Sequence, residues 1–207
     1  MTAGEAGPAD RTRLRIHPER SVPGDLLLFL RRGLMAHVGI VDEGSPVVIP
    51  MNYQTDEDPL TIYLHSAHHG RLLNVATKGG PICVTVTMVD GLIYSKTALY
   101  HSTNYRSVVC FGTGRLVTDR AVVRRLAREL VGRYYPGRTE GVDYIPVPDA
   151  HLNATMFVAV DVSDASAKAR TGGPKGPTDS DPEAPGSAGL IPWTSVELLP
   201  DDRWRRD

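Results

Sequence analysis

The chain is poor in cysteine, poor in aromatic residues and without an excess of either charge. Only two of its 207 residues are cysteines, Cys83 and Cys110. They stand in CVTV and VVCFG, so both are expected to be buried small hydrophobes. Two isolated cysteines make no zinc or iron–sulfur pattern, and a disulfide is not expected in a reducing compartment. Lys and Arg number 23 against 24 Asp and Glu, a net charge of −1. No global field then favours nucleic acid or an anionic membrane, and neither is expected as a partner. No apolar run approaches the ~20 residues of a membrane helix. The opening MTAGEAGPADRTRLR lacks the apolar core of a signal peptide, so a cytoplasmic location is expected. GxGxxG, Walker, HExxH and GxSxG motifs are all missing, as is any internal repeat.

What remains is an ordinary globular composition, 41% hydrophobic and 23% charged, sized for one domain with a real core. Residues 1–16 read as a flexible polar segment. Ser21 is a candidate cap, Pro23 suits a first turn, and residues 26–30 give a helix that Gly33 ends in a left-handed stop. Residues 35–41 and 46–51 read as strands around the hairpin turn Asp42-Glu43-Gly44-Ser45. Residues 52–59 read as a polar loop. Residues 60–64 alternate as a third strand, with Leu60, Ile62 and Leu64 on one face.

A short helix is expected over 68–77 and a fourth strand over 82–89. Asp90-Gly91 signals a turn after it. Residues 101–105 interrupt the next extended stretch, and 106–117 form a long strand. Asp119 caps the best helix, 120–133, with Val122, Leu126 and Leu130 in its apolar stripe. Arg124, Arg125 and Arg128 are expected on a solvated face. Residues 138–154 look irregular and 155–162 form a strand. Residues 165–189 read as a long Gly/Pro-rich loop, and 190–207 as an edge strand and tail on the barrel. The domain proper then runs over 17–164. The expected fold is mainly β (α+β): six to eight mostly antiparallel strands in a barrel with peripheral helices.

Four polar clusters stand at strand ends. In the first, His65, Ser66 and Ala67 lead through His68, His69 and Gly70 to Arg71. Adjacent histidines point to different sides and no carboxylate or cysteine completes a set, so metal is disfavoured. A hydroxyl, a guanidinium and free helix N–H groups suit a phosphate instead, with a merely capped helix as the alternative. In the second, Pro50 cannot donate to a sheet ladder, so its carbonyl and the backbone of Met51, Asn52 and Tyr53 are available to a planar ring. The third is His101-Ser102-Thr103-Asn104-Tyr105-Arg106-Ser107, seven successive hydrogen-bonding residues between apolar strands. The fourth is His37 in an apolar strand, where a core role and a functional role both stand.

These residues carry a resemblance. Ala36-His37-Val38-Gly39, Val48-Ile49-Pro50-Met51-Asn52-Tyr53 and Tyr63-Leu64-His65-Ser66-Ala67 with Gly70-Arg71 are followed by Val84-Thr85-Val86-Thr87 and Asp90-Gly91-Leu92. Then come His101 through Val109, and Ser166-Ala167-Lys168-Ala169-Arg170-Thr171-Gly172-Gly173-Pro174. In that order, over about residues 17–175, they resemble the pyridoxamine 5′-phosphate oxidase-like flavoproteins, nearest the nitroimidazole-resistance branch. The resemblance implies a split β-barrel and a homodimer with FMN at the interface. It places the phosphate at Ser66 and Arg71, with Leu72 where many relatives carry a lysine. It lays Pro50, Met51, Asn52 and Tyr53 along the ring and keeps His65 and Ala67 at the phosphate end. His101, Asn104, Arg106 and Ser107 complete the pocket, from the other subunit in one arrangement.

The implied activity is FMN-dependent oxidoreduction of a small planar molecule: nitroaromatic, quinone-like or pyridoxal-like. The arginine-rich pyridoxal phosphate site of the true oxidases is absent. Heme binding or processing on the same fold and a non-enzymatic flavin module are the alternatives. Flavin chemistry requires no fixed catalytic residue; His37, His65 and His101 are the candidate proton donors.

Overall fold

A computed structural model describes residues 11–152 and 156–193. Eight strands form one sheet: β1 (Ala36–Asp42), β2 (Ser45–Met51), β3 (Tyr53–Glu57), β4 (Leu60–Ser66), β5 (Pro81–Tyr94), β6 (Ser102–Val117), β7 (Met156–Arg170) and β8 (Gly189–Pro192). The spatial order is β2-β1-β5-β6-β7-β4-β3, with β8 added on β5, and every pairing is antiparallel. The two ends of that path, β2 and β3, are consecutive in sequence and joined through Asn52 alone. The sheet thus curls until its edges stand at one residue, which is a split barrel. The β1–β2 turn has Glu43 at φ 50° and Gly44 at φ 79°, both left-handed, the two-residue turn whose twist suits a hairpin.

The helices are α1 (Leu26–Arg32), α2 (Arg71–Thr77), α3 (Arg120–Tyr134) and the single turn α4 (Asp149–Leu152). Period-two alternation along β4 and β7 sorts their side chains into two cores. Ile62, Leu64, Val158 and Val160 point into the barrel with Val38, Val84, Val86 and Val108. Tyr63, Phe157 and Ala159 point outward and are covered by Val123 and Leu126 of α3 and Leu152 of α4. Burying one such side chain is worth about 1.5–3 kcal/mol.

Several expectations are corrected. The polar loop at 52–59 contains β3, because its polar side chains serve the protein rather than water. The Gln54 amide donates to the Leu126 carbonyl, and Asp56 accepts from the Tyr63 hydroxyl and Arg125. Desolvation pulls the Asp56 carboxyl up, but the hydrogen bonds from Arg125 and Tyr63 outweigh it and hold its pKa low. The arginines of α3 do lie on a partly exposed face, and they are paired there. Arg125 bonds Asp56 and Glu129, Arg124 bonds the Val147 carbonyl and Asp149, and Arg128 lies 4.0 Å from Glu140.

Asp90-Gly91 is not a turn. Strand β5 runs straight through it with a register shift between Val89 and Gly91. A Cβ at Gly91 would stand 2.7 Å from Leu190 Cδ1 and 3.0 Å from the Ile191 carbonyl, so glycine lets β8 pair there. Gly33 is extended, φ −63° and ψ 135°, not left-handed. Its bare α-carbon is required because a Cβ would collide with Val86 Cγ1 and meet the Tyr53 hydroxyl at 2.8 Å. Ser21 caps no α-helix; it bridges to Lys168, and a 3₁₀ turn at Pro23–Asp25 leads into α1.

The strand expected over 155–162 continues to Arg170, so the Gly/Pro-rich loop begins only at Thr171. That loop is held in place. Asp179 accepts hydrogen bonds from the Ser95 hydroxyl, the Lys96 amide and the Gly176 amide, and the Lys96 ammonium donates to the carbonyls of Asp181 and Ala184. Most of the expected N-terminal segment (1–10) and C-terminal tail (194–207) lies outside the described residues; Arg11 pairs with Asp164.

Asp179→Ala should release the loop, and tryptic cleavage after Lys175 should accelerate about tenfold if docking is what protects it. Unchanged cleavage would mean the loop stands without this anchor. Desolvation raises the Asp179 pKa, but bonds from Ser95, Lys96 and Gly176 lower it on balance. A depressed folded pKa means the docking is fully present above the ordinary aspartate pKa and is lost as pH falls through the folded value. Trp193 emission, followed downward from pH 5, should report that release.

Candidate functional site

Strand β4 delivers His65 and Ser66 to a turn that leads into α2. Ser66 is 5% exposed and its hydroxyl donates to the Ala67 carbonyl at 3.3 Å. Gly70, the residue before α2, supplies no side-chain cap, and a Cβ there would stand 3.0 Å from the Ser66 hydroxyl. Arg71 opens the helix, largely exposed, 3.7 Å from Asp42. The corner therefore carries a hydroxyl, a guanidinium and first-turn amides that no side chain caps. His65, Ala67, His68 and His69 are exposed, and the His65 ring lies 5.5 Å from that of Phe157.

Tyr53 pairs with Leu64, so Asn52 and Met51, which precede it, run out alongside His65 and Ser66. Pro50 and Asn52 are exposed and Met51 is half-buried. Tyr53 differs from them. It is fully buried, its hydroxyl donates to the carbonyls of Leu30 (2.6 Å) and Gly33 (3.1 Å), and its amide donates to the Tyr134 hydroxyl. The Arg133 guanidinium lies 4.4 Å from its ring centre. Burial pushes its phenol well above the usual value. Its side chain anchors the segment rather than lining an open surface.

The HSTNYRS segment is not an interrupting loop: from Ser102 it is the start of β6. Its polar groups have internal partners. Asn104 donates to the Gly172 carbonyl and accepts from Arg170; Arg106 makes two bonds to the Asp90 carboxylate; Ser107 shares a hydrogen bond with Thr87. His101 is exposed, with its Nδ1 near the Ala98 carbonyl. His37 stands exposed on β1, opposite Pro50 and Thr85.

These residues form two groups. Ser66 pairs with Met156 at the start of β7, whereas Arg106 pairs with Ala169 at its end. Around the other side of the sheet the path is shorter: Met51 pairs with Ala36, Ala36 with Val86 and Val86 with Val108, three strand spacings of about 4.8 Å each. His65, Ser66 and Arg71 form one group and His101, Asn104, Arg106 and Ser107 the other, with Pro50, Met51 and Asn52 between them. Sequence reasoning missed Asp90, hidden in a turn signal, and Arg170, hidden in an expected loop. It also missed a cleft of about 220 Å³ lined by His68, Leu116, Val117, Thr118, Arg120, Val123, Leu152 and Met156. Period-two spacing of Lys168 and Arg170 was the one available signal for the strand.

Both thiols are free; burial raises the pKa of Cys83 and pushes that of Cys110 up to about 12. Neither is suited to be a nucleophile. Among the described residues no helix is long and apolar enough to cross a membrane, and no three His, Cys, Asp or Glu side chains gather as a metal set.

The family model described as pyridoxamine 5′-phosphate oxidase matches residues 23–169. The chain belongs to this family. No curated protein matches the sequence. Among solved structures, the flavocytochrome Anf3 from Azotobacter vinelandii is similar at 31% identity and TM-score 0.80, over 96% of this chain and 91% of that one. A FAD and heme binding protein from Mycobacterium smegmatis is similar at 27% identity and TM-score 0.75, over 84% of each chain. A 5-nitroimidazole antibiotic resistance protein from Bacteroides thetaiotaomicron, so described provisionally, shares the fold at 22% identity and TM-score 0.58, over 72% of this chain and 84% of that one.

Proposed function

We propose that this family member is a flavin-dependent redox protein acting on a small planar acceptor of nitroaromatic, quinone-like or pyridoxal-like chemistry. The observation that carries the reading is the likeness, over nearly the whole chain, to a flavocytochrome at 31% identity. A bound flavin supplies hydride and single-electron chemistry, and the protein supplies position and electrostatics. The Ser66 hydroxyl, the Arg71 guanidinium and the first amides of α2 hold a phosphate. The backbone of Pro50, Met51 and Asn52, kept in place by buried Tyr53, lies along the ring. Ser107 and its neighbours stand across β1 and β5 from Met51, at the far side of that ring segment. A homodimer, with the flavin between two copies, brings the two groups together. The free thiols suit a reducing compartment, and we place the protein in the cytoplasm.

A second reading, heme binding, has its own observation. The 220 Å³ cleft is lined by the apolar Leu116, Val117, Val123 and Leu152 and by His68, Met156 and Arg120. That set fits part of a macrocycle that needs apolar contact, an axial nitrogen or sulfur, and a cation for its carboxylates. His68 would hold the heme iron and Arg120 its carboxylates.

The test is an absorbance spectrum of purified protein, before and after adding FMN, FAD and hemin. A flavin band at roughly 450 nm is expected, with released cofactor identified by mass. Colourless protein with no affinity for either flavin would overturn the first reading. For the second, hemin should raise a Soret band that His68→Ala shifts or abolishes. A wild-type protein without such a band would remove it.

A further inference from the structure

The end of β7 carries a cationic face beside the second group, which shares Asn104 with it. Lys168 and Arg170 are two apart on the strand and point the same way. Ala167 lies in the barrel core, so that face is the outer one. Across the ladder, Ser107 pairs with Lys168 and Tyr105 with Arg170, and the Lys168 ammonium sits 6.0 Å from the Tyr105 ring centre. The segment leading into α1 bridges Ser21 to Lys168 and brings Arg20 alongside.

Arg170 is 8% exposed, and its guanidinium donates at 2.5 Å to the side-chain oxygen of Asn104, a neutral amide. Asn104 is itself fixed by its bond to the Gly172 carbonyl. Among the described residues, neither Arg170 nor Lys168 has a carboxylate within ion-pair distance. Arg20 has one, Glu19 at 3.9 Å, which is largely exposed and also bonded to His17. Burial, and after it the charge of Arg20, lowers the Arg170 pKa. A buried guanidinium without a counter-charge is costly, and an anion from outside relieves that cost.

We infer that Arg20, Lys168 and Arg170, with Asn104 orienting the last, form a seat for the diphosphate of a dinucleotide, Tyr105 offering its ring beside it. Two guanidinium forks, one of them held by Asn104, and a flexible ammonium match the several oxygens of a diphosphate better than one carboxylate. The diphosphate has two sources: a flavin adenine dinucleotide held as cofactor, whose flavin phosphate would then sit here and not at Ser66 and Arg71, or a reduced nicotinamide dinucleotide arriving as electron donor.

Calorimetric titration of the full-length protein with inorganic pyrophosphate tests the seat itself, with or without flavin bound. The wild type should bind pyrophosphate with an affinity that falls as salt rises. Arg170→Gln, which can still bond Asn104, should weaken it about tenfold, as should the exposed-side Lys168→Met. Arg170→Lys should weaken it less. No binding by the wild type, or equal binding by Arg170→Gln and Lys168→Met with unchanged melting temperatures, overturns the inference. A wild type that binds pyrophosphate but neither FMN nor FAD leaves the seat standing and removes the flavin reading. The source follows from two further titrations. If the variants weaken FAD but not FMN, the seat serves the cofactor. If they raise the KM for NADH at unchanged flavin affinity, it serves the donor.

Discussion

Tyr53→Ala should lower unfolding free energy by about 3–5 kcal/mol in urea denaturation, as truncating a buried aromatic does. The ring is fully buried where β3, α1 and α3 meet, so its loss leaves a cavity that Val86, Leu30 and Gly33 cannot refill without moving. Tyr53→Phe is the control that separates ring from hydroxyl. Arg133 also donates to the Leu30 and Gly33 carbonyls, at 2.8 and 2.9 Å. Those acceptors keep a partner, and the Phe variant should lose only about 1 kcal/mol. The site should respond too: Asn52 and Met51 hang from this anchor, so the Ala variant should lose flavin affinity even where it is still folded. A loss under about 1 kcal/mol for Tyr53→Ala would mean the anchor is misassigned.

Asp90→Ala should cost about 2–3 kcal/mol. It removes the acceptor of two bonds that Arg106 donates; the Asp90 and Arg106 side chains are 26% and 18% exposed. Removing one member of a fully buried pair costs about 3–5 kcal/mol, and partial exposure takes a share of that away. The Arg106 guanidinium also lies 6.0 Å from the Phe29 ring centre, which ties the β5 bulge through Arg106 to α1. A double-mutant cycle with Arg106→Met separates pair from placement. The double variant should be less damaged than the sum of the singles, because it leaves no orphaned charge. Strict additivity would mean the pair carries no coupling. Asp90→Asn, which keeps an acceptor without the charge, should fall between wild type and Ala.

Where a segment faces one environment, its pattern told its structure. The hairpin at Glu43-Gly44, the alternation of Leu60, Ile62 and Leu64, and the capped stripe of α3 were all legible, because each depends on local backbone preference or on a face that meets the core. Asp119 accepts from the amides of Ala121 and Val122 as its position implied. The errors share one cause. In β3, in the first residues of β6 and at the end of β7, polar side chains are satisfied by other parts of the chain, so polarity imitated a loop. Gln54 finds Leu126, Asn104 finds Arg170 and Asp90 finds Arg106, partners that no local window contains. Asp90-Gly91 looked like a turn because glycine frees the backbone; here that freedom admits β8.

The sequence by itself determined the β-rich class, the hairpin, the α3 stripe and the family, since periodicity and ordered motifs are properties of neighbours along the chain. It also marked the corner at His65, Ser66 and Arg71 as suited to an anion. Only the tertiary structure decided which polar groups meet. It set Met51, Ala36, Val86 and Val108 in one row across the sheet, and it made the Tyr53 side chain a buried anchor. It also left Arg170 nearly buried with no carboxylate beside it among the described residues. Each of these depends on strand register, which sets the distance between residues far apart in sequence and which no spacing along the chain contains.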